Sequence, residues 1–307
     1  MQYMTIKEAS QKWNVSIRRI NKLLNEGRIE GAYKTTASWN IPIDTEKPID
    51  KRYKKEEKII INLDQHYFNE LDKKKKLLDS KRPFPEHTLK SLQEDLFLRW
   101  TYNSNAIEGN TLTLIETKVV LEGITVGGKS VREHLEATNH QDAIYFLMDL
   151  IKEKETLSEI NIKNIHQLVL KEVDNKNAGV YRNQNVIIPG AKHIPPEHFK
   201  VKELMERMLN DYQNWEKYHP IARAAILHVI FVKIHPFVDG NGRTSRLLMN
   251  FEAIKNGYPP IVIKLEQRAK YFAALDKAHT KGDYTDFIKI VAEAALDSIE
   301  TYLKIIA

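Results

Sequence analysis

From Ala224 to Ile234 the chain is apolar except at His228 and Lys233. A segment apolar on nearly every face reads as a buried helix. Pro236 biases His235 out of the right-handed helical region, which predicts that this helix stops there. Beyond a turn, Arg243 to Lys255 places Leu247, Leu248, Phe251 and Ile254 at helical spacing and predicts a second helix. The first turn of that helix then carries Arg243 and Arg246. A helix N-terminus already presents unpaired N–H groups and partial positive charge, and it normally recruits Asp or Glu. Two cations behind Gly240-Asn241-Gly242, whose glycines let successive N–H groups converge, predict an anion site. Asp239 offers one carboxylate to a metal, and His235 offers a base that titrates near neutrality. Together these residue types point to phosphate chemistry. A β-hairpin built on Asp-Gly or Asn-Gly is the competing reading, and it fails because both flanks are helical in pattern.

The run His235-Pro236-Phe237-Val238-Asp239-Gly240-Asn241-Gly242-Arg243-Thr244-Ser245-Arg246 resembles the HxFx(D/E)GNGRxxR motif of the Fic family at every fixed position. Upstream, Ser104-Asn-Ala-Ile-Glu108-Gly109 resembles the (S/T)xxxE(G/N) inhibitory helix of the same family. The resemblance spans roughly residues 90 to 290. It implies a mainly α Fic-type helical bundle with a small β-hairpin flap, and an enzyme that moves AMP from Mg-ATP to a protein hydroxyl (Tyr, Ser or Thr), itself included. On this reading ATP lies with its phosphates over Gly240, Asn241 and Gly242, Asp239 holds Mg²⁺, and Arg243 and Arg246 hold the β- and γ-phosphates. His235 takes the proton of the incoming hydroxyl, and Pro236 and Phe237 shape the turn. The resemblance also implies that Glu108 pairs with Arg246 and displaces the γ-phosphate, with Ser104 and Gly109 completing the inhibitory motif.

Arg182 to Pro196 resembles the family's flap, which holds a target segment by strand addition; Val186, Ile187 and Ile188 would then cover the nucleotide. Tyr271-Phe272-Ala-Ala-Leu-Asp-Lys-Ala-His279 stands where many relatives carry YYxxLxxAN around adenine. It departs from that pattern at Phe272 and at His279, so ATP and another nucleotide such as UTP both stay open. Some relatives remove AMP with the same inhibitory Glu, which makes a de-AMPylase or bifunctional enzyme using Glu108 an alternative. Relatives often form homodimers that bury the inhibitory helix. The kinase branch carries Lys at the second Gly of GNG, and Gly242 argues against it.

Residues 1–50 read as a separate module. Thr5 to Glu8 forms a capping box, Asn14-Val15 a turn, Ser16 a cap for a second helix through Leu24, and Gly27 its stop. Arg28 to Tyr33 and Trp39 to Pro42 then resemble the wing of a MerR/excisionase-like winged helix-turn-helix. If that module binds DNA, Ser16, Arg18, Arg19 and Lys22 face the major groove; a DNA-binding regulator with a nucleotide-sensing core is thus a further alternative. Asp44 to Tyr53 is the expected linker, residues 51–88 a connector, and 89–307 the catalytic domain with its inhibitory helix at about 89–109. Ile59-Ile60-Ile61 fits a strand or a buried helix end.

Gly123 to Ser130 satisfies GxxxxGK[ST]. A phosphate-binding loop of that type follows a buried strand, whereas the preceding Thr113 to Glu122 opens with a capping box and is helical in pattern. A helix-to-helix loop is the better reading, with Ser130 capping the next helix against Glu133. The chain has no cysteine, which excludes disulfides, thiol nucleophiles and thiolate metal sites. A net charge of +6 over 307 residues does not by itself indicate nucleic acid. The N-terminal stretch lacks the apolar core of a signal peptide, so a soluble cytoplasmic protein, free of membranes, is the expectation.

Overall fold

The structure is a computed structural model that describes residues 2–13, 15–35, 38–48, 59–64 and 66–306. Two compact units divide the chain, at Lys58 and Ile59. Residues 49–53 of the expected linker, and Asn14 of the expected turn, lie outside the described residues.

In the first unit β1 (Tyr3–Met4) leads into α1 (Ile6–Trp13), α2 (Ile17–Asn25), β2 (Tyr33–Lys34) and β3 (Trp39–Pro42). The Thr5 and Glu8 side chains cap each other's N–H groups at the start of α1. Ser16 accepts from the Arg19 N–H at the start of α2, and Gly27 (φ 63°) follows its C-cap. β3 is the central strand of an antiparallel sheet, with Tyr3 opposite Pro42 and Tyr33 opposite Asn40. Trp13, Ile20, Leu23, Leu24 and Ile41 form the core, which leaves Arg18 and Lys22 of α2 exposed.

The second unit is helical. Its elements are α3 (Asn69–Ser80), α4 (Glu86–Ile107), α5 (Leu114–Leu121), α6 (Val131–Lys152), α7 (Glu159–Leu170), α8 (Val201–Tyr212), α9 (Pro220–Ile234), α10 (Asn241–Lys255), α11 (Arg268–Lys281) and α12 (Thr285–Ile306). α9 is the predicted buried helix. It packs against α8, α10, α11 and α12, and from Ala224 to Ile234 only Lys233 is not fully buried. His228 is one of its core residues, its Nε2 within hydrogen-bond distance of the Ser245 and Tyr271 hydroxyls. Burial pushes its pKa well below the usual histidine value. Capping boxes open α5 at Thr113 and α6 at Ser130. Ile60 makes a single parallel bridge to Asp283, too short to count as a strand. No described helix is long and apolar enough to cross a membrane.

Two expectations need correction. α10 begins at Asn241, two residues before the predicted start, because Gly240 (φ 75°, ψ 2°) already makes the turn into it. Arg243 is therefore in the first turn and Arg246 in the second. The flap contains no strand pair between 182 and 196, although the chain does turn at Gly190 (φ 79°). The reason is local: Arg182 donates from Nη1 to the Gln184 carbonyl and from Nη2 to the Pro196 carbonyl, and Pro189, Pro195 and Pro196 have no N–H to give a ladder. A buried guanidinium, rather than backbone pairing, gathers the two arms.

Candidate active site

The turn from α9 to α10 is held by side chains that bind its backbone. α9 ends on His235 in the left-handed region (φ 50°, ψ 61°), where the following proline forbids continuation of the helix. Asn241 accepts from the Phe237 N–H through Oδ1 (3.0 Å) and donates from Nδ2 to the Phe237 carbonyl (2.9 Å). Its side chain thus locks the loop, and only its backbone N–H is left for a ligand. Phe237 is fully buried and stacked on the His166 ring, with centroids 3.5 Å apart and planes 3° from parallel. The Gly179 N–H donates to His166 Nδ1 (2.9 Å), so Nε2 carries the proton and donates to the Asp239 carbonyl (2.9 Å). Burial, first of all, pushes His166 down to about 4, which keeps the ring neutral for this paired role. Gly240 must lie close to it: a Cβ there would stand 3.2 Å from His166 Nε2. Arg182, itself buried, donates from Nε to the His235 carbonyl (2.8 Å) and from its N–H to the Pro236 carbonyl (2.9 Å).

Against this frame the reactive groups converge. Burial, with Arg182 nearby, pushes His235 down to about 4, so its imidazole is neutral at neutral pH and able to accept a proton. Its Nδ1 is buried without a hydrogen-bond partner. Asp239 lies at the mouth of the site. Oδ1 accepts from the Gly240 N–H (2.6 Å), and Oδ2 accepts from Arg132 Nη2 (2.7 Å). Burial alone would raise its pKa, but Arg243, the Gly240 N–H and Arg132 outweigh burial and lower it. As the first three residues of α10, 241 to 243 direct N–H groups without intrahelical partners toward the same space.

Arg243 and Arg246 are each only 2% exposed. Arg243 lies 3.3 Å from Glu136 and 3.5 Å from Asp239 at ion-pair distance, yet its Nε and Nη1 make no hydrogen bond. Buried guanidinium donors left without acceptors are costly unless a ligand takes them, and an oxyanion suits them. Every nitrogen of Arg246 is engaged. It donates from Nε to Ser104 Oγ (2.9 Å), from Nη2 to the Ser104 carbonyl (2.7 Å) and to Glu108 Oε1 (2.8 Å), and from Nη1 to the Tyr271 hydroxyl (3.1 Å). Glu108 is the C-cap of α4, Gly109 follows at φ 104°, and the carboxylate lies against Gly242. A Cβ on Gly242 would stand 2.0 Å from Glu108 Oε1. The acid thus occupies space beside the α10 N-terminus, where a bound phosphate would compete with it.

The residues expected around the base differ in burial and partners. Tyr271 is buried behind Arg246 and supports it rather than lining an open pocket. His279 is buried with Nε2 at the Val229 carbonyl and its ring 4.9 Å from His193. Phe272 is partly exposed beside Arg268, and Val186 and Ile188 are half-buried while Ile187 is 80% exposed. The GxxxxGK[ST] decoy is a loop between α5 and α6. Lys129 donates to the Thr111 carbonyl and hydroxyl, and Ser130 caps α6. Arg132, Glu136, His166 and the positioning role of Arg182 escaped the sequence. Nothing in a local pattern signals a contact to a carboxylate 107 positions away.

Residues 156–253, from just before α7 through most of α10, match the Fic/DOC family. Over 249 residues the chain is 36% identical to the protein adenylyltransferase Fic of Nematostella vectensis, covering 78% of this chain and 56% of that protein. The chain spans about half the length of the curated relatives it matches. Fic-1 of C. elegans superposes with a TM-score of 0.70 at 33% identity, covering 76% of this chain and 71% of that one. A Fic domain containing signaling protein from Bacteroides thetaiotaomicron gives a TM-score of 0.71 at 27% identity, covering 78% and 96%. With more than two thirds of the C. elegans chain matched at that identity, this chain belongs to the Fic/DOC family.

Proposed function

We propose that the second unit transfers AMP from ATP to a hydroxyl of a protein and that Glu108 restrains the reaction. The observation that carries this reading is Arg243, buried at the start of α10 with Nε and Nη1 making no hydrogen bond, across the turn from a neutral His235. A triphosphate lying along the N–H groups of residues 241 to 243 supplies the acceptors that Arg243 lacks. With Nδ1 of His235 sealed in, Nε2 is the nitrogen that meets an incoming hydroxyl. It takes the hydroxyl proton while the oxygen attacks the α-phosphorus. The bond from the α-phosphorus to its bridging oxygen breaks, and pyrophosphate leaves toward Arg243. His235 is held by Arg182 and the loop by Asn241 and His166, so orientation is set before substrate arrives.

No group of three or more His, Cys, Asp or Glu side chains placed to hold a metal ion occurs among the described residues. A lone Asp239 carboxylate beside a polyphosphate site does fit Mg²⁺, which is commonly held by one or two carboxylates together with phosphate oxygens. Bound there, Mg²⁺ would supply positive charge to the phosphates. Asp239 would hold it, and Arg243 and the α10 N–H groups share that charge neutralisation.

ATP is the proposed nucleotide because the curated relatives are named adenylyltransferases. Incubation with lysate and ATP labelled at the α-phosphate should leave label on protein through denaturing electrophoresis, whereas γ-labelled ATP should leave none. Transfer of the γ label would replace this reading with a kinase, and preferential competition by UTP would change the nucleotide. Removal of AMP is a second reading, favoured by Glu108, an acid whose carboxylate lies against Gly242 beside the N-terminus of α10. For the first unit we propose DNA binding through α2, where Arg18 and Lys22 lie four residues apart on the face opposite Ile20, Leu23 and Leu24. Ser16 is committed to its cap and Lys22 is 3.8 Å from Glu26, so the expected footprint is small. A gel shift on genomic fragments tests it; no shift for wild type, or an unchanged shift after Arg18→Ala with Lys22→Ala, rejects it.

A further inference from the structure

Asp239 is the carboxylate assigned above to the metal, and in this structure both of its oxygens are already engaged. Oδ1 is fixed by the Gly240 N–H at 2.6 Å, a bond set by the turn itself. Oδ2 is held at 2.7 Å by Arg132 Nη2. Arg132 is the second residue of α6, at a helix end where a cation is electrostatically unfavourable. Its guanidinium is kept in place by its Nε, which donates to Glu136 Oε1 at 3.0 Å one turn later. Glu136 is mostly buried; it stands 3.3 Å from Arg243 Nη1 and accepts from Asn110 Nδ2 at 3.0 Å. The Arg132 side chain, by contrast, is 59% exposed.

We propose that Arg132 is a resident counter-cation on Asp239 that competes with a divalent metal, and so a residue that sets metal affinity at this site. The inference rests on the reading of Asp239 as metal holder. A guanidinium cannot coordinate a metal, and one seated on Oδ2 takes a lone pair and sets a positive charge beside any metal there, so the two occupancies compete. Oδ1 accepts from the Gly240 N–H and lies 3.5 Å from Arg243 Nη2, so a cation approaching that oxygen meets a second guanidinium. An exposed ion pair of this kind is worth a factor of up to about five, and Glu136 adds to it by holding the guanidinium in register. Removing Arg132 therefore raises metal affinity by about three- to tenfold. Metal arriving with a polyphosphate brings the charge that makes the exchange favourable, whereas free metal meets an arginine.

The test is a Mn²⁺ titration followed by electron paramagnetic resonance, with a non-hydrolysable ATP analogue present, on the full chain and on Arg132→Gln, Lys129→Gln and Asp239→Asn. Lys129 carries a neighbouring charge that is tied to Thr111 and Glu116 rather than to Asp239. The expected result is three- to tenfold tighter Mn²⁺ binding for Arg132→Gln alone and loss of the protein-dependent site in Asp239→Asn. Unchanged or weaker binding in Arg132→Gln overturns the proposal. So does equal tightening in Lys129→Gln, which would reduce the effect to charge acting at a distance. Wild-type binding in Asp239→Asn would instead overturn the assignment of the metal to that carboxylate, independently of Arg132.

Discussion

Replacing His235 with alanine is expected to lower AMP transfer by about 100- to 10,000-fold, the usual contribution of a positioned general base. The fold should survive, because the loop is held by Asn241, His166 and Arg182 through backbone groups that the substitution leaves in place. Asparagine is the sharper variant: it tolerates the left-handed backbone at 235 but cannot take the proton. Both variants should melt near the wild-type temperature while losing incorporation of α-labelled ATP. Transfer at the wild-type rate in either one removes His235 from the base role. The pH dependence has a definite sign. With His235 pushed to about 4 in the free protein, kcat/KM should stay level between pH 6 and 8 as far as this group is concerned. It should fall only as acid protonates the ring, since the protonated ring cannot accept a proton. An acidic limb centred near 6.5, with activity already falling below neutrality, would show that burial does not control this imidazole.

Substituting Glu108 by glycine is expected to raise self-labelling and target labelling by about 10- to 100-fold. A charge-assisted hydrogen bond is worth about 1.5–3 kcal/mol, and each 1.36 kcal/mol is tenfold in rate. Arg246 keeps Ser104 and Tyr271 as partners, so the variant should remain folded while one guanidinium edge becomes available to phosphate. Glu108→Gln tests the charge separately from the shape and should give an intermediate rise. Unchanged labelling in both would end the inhibitory reading. A fall in labelling, or loss of AMP removal from a pre-labelled target, would identify Glu108 as a working acid–base group instead.

The parts of the fold legible in the sequence were those encoded over short spans. The capping boxes at Thr5, Thr113 and Ser130, the apolar run of α9 and the stop at Pro236 all depend on neighbours within a turn or two, and each appears in the structure. The twelve residues from His235 to Arg246 were likewise contiguous. What could not be read was set by long-range packing. Arg182 looked like the start of a hairpin but is a buried cation gathering carbonyls from three segments. Tyr271 matched a nucleotide-pocket pattern but stands behind Arg246, because helical spacing gives the face of α11 and not its depth in the bundle. The start of α10 moved because a glycine at positive φ can begin a helix without any side-chain cap.

Gly242 carries a consequence for how such a protein evolves control. Its α carbon borders both the acid of α4 and the path expected for the triphosphate, with no room for even a methyl group on the acid's side. If Glu108 restrains the reaction as proposed, rest and turnover are rival tenants of one small volume, and neither needs a signal relayed through the bundle. Whatever loosens the end of α4, whether a partner, a modification or a change of assembly, would act by vacancy alone. Sensitivity would then be tuned by how firmly a single helix end is seated, without altering any group that handles the chemistry.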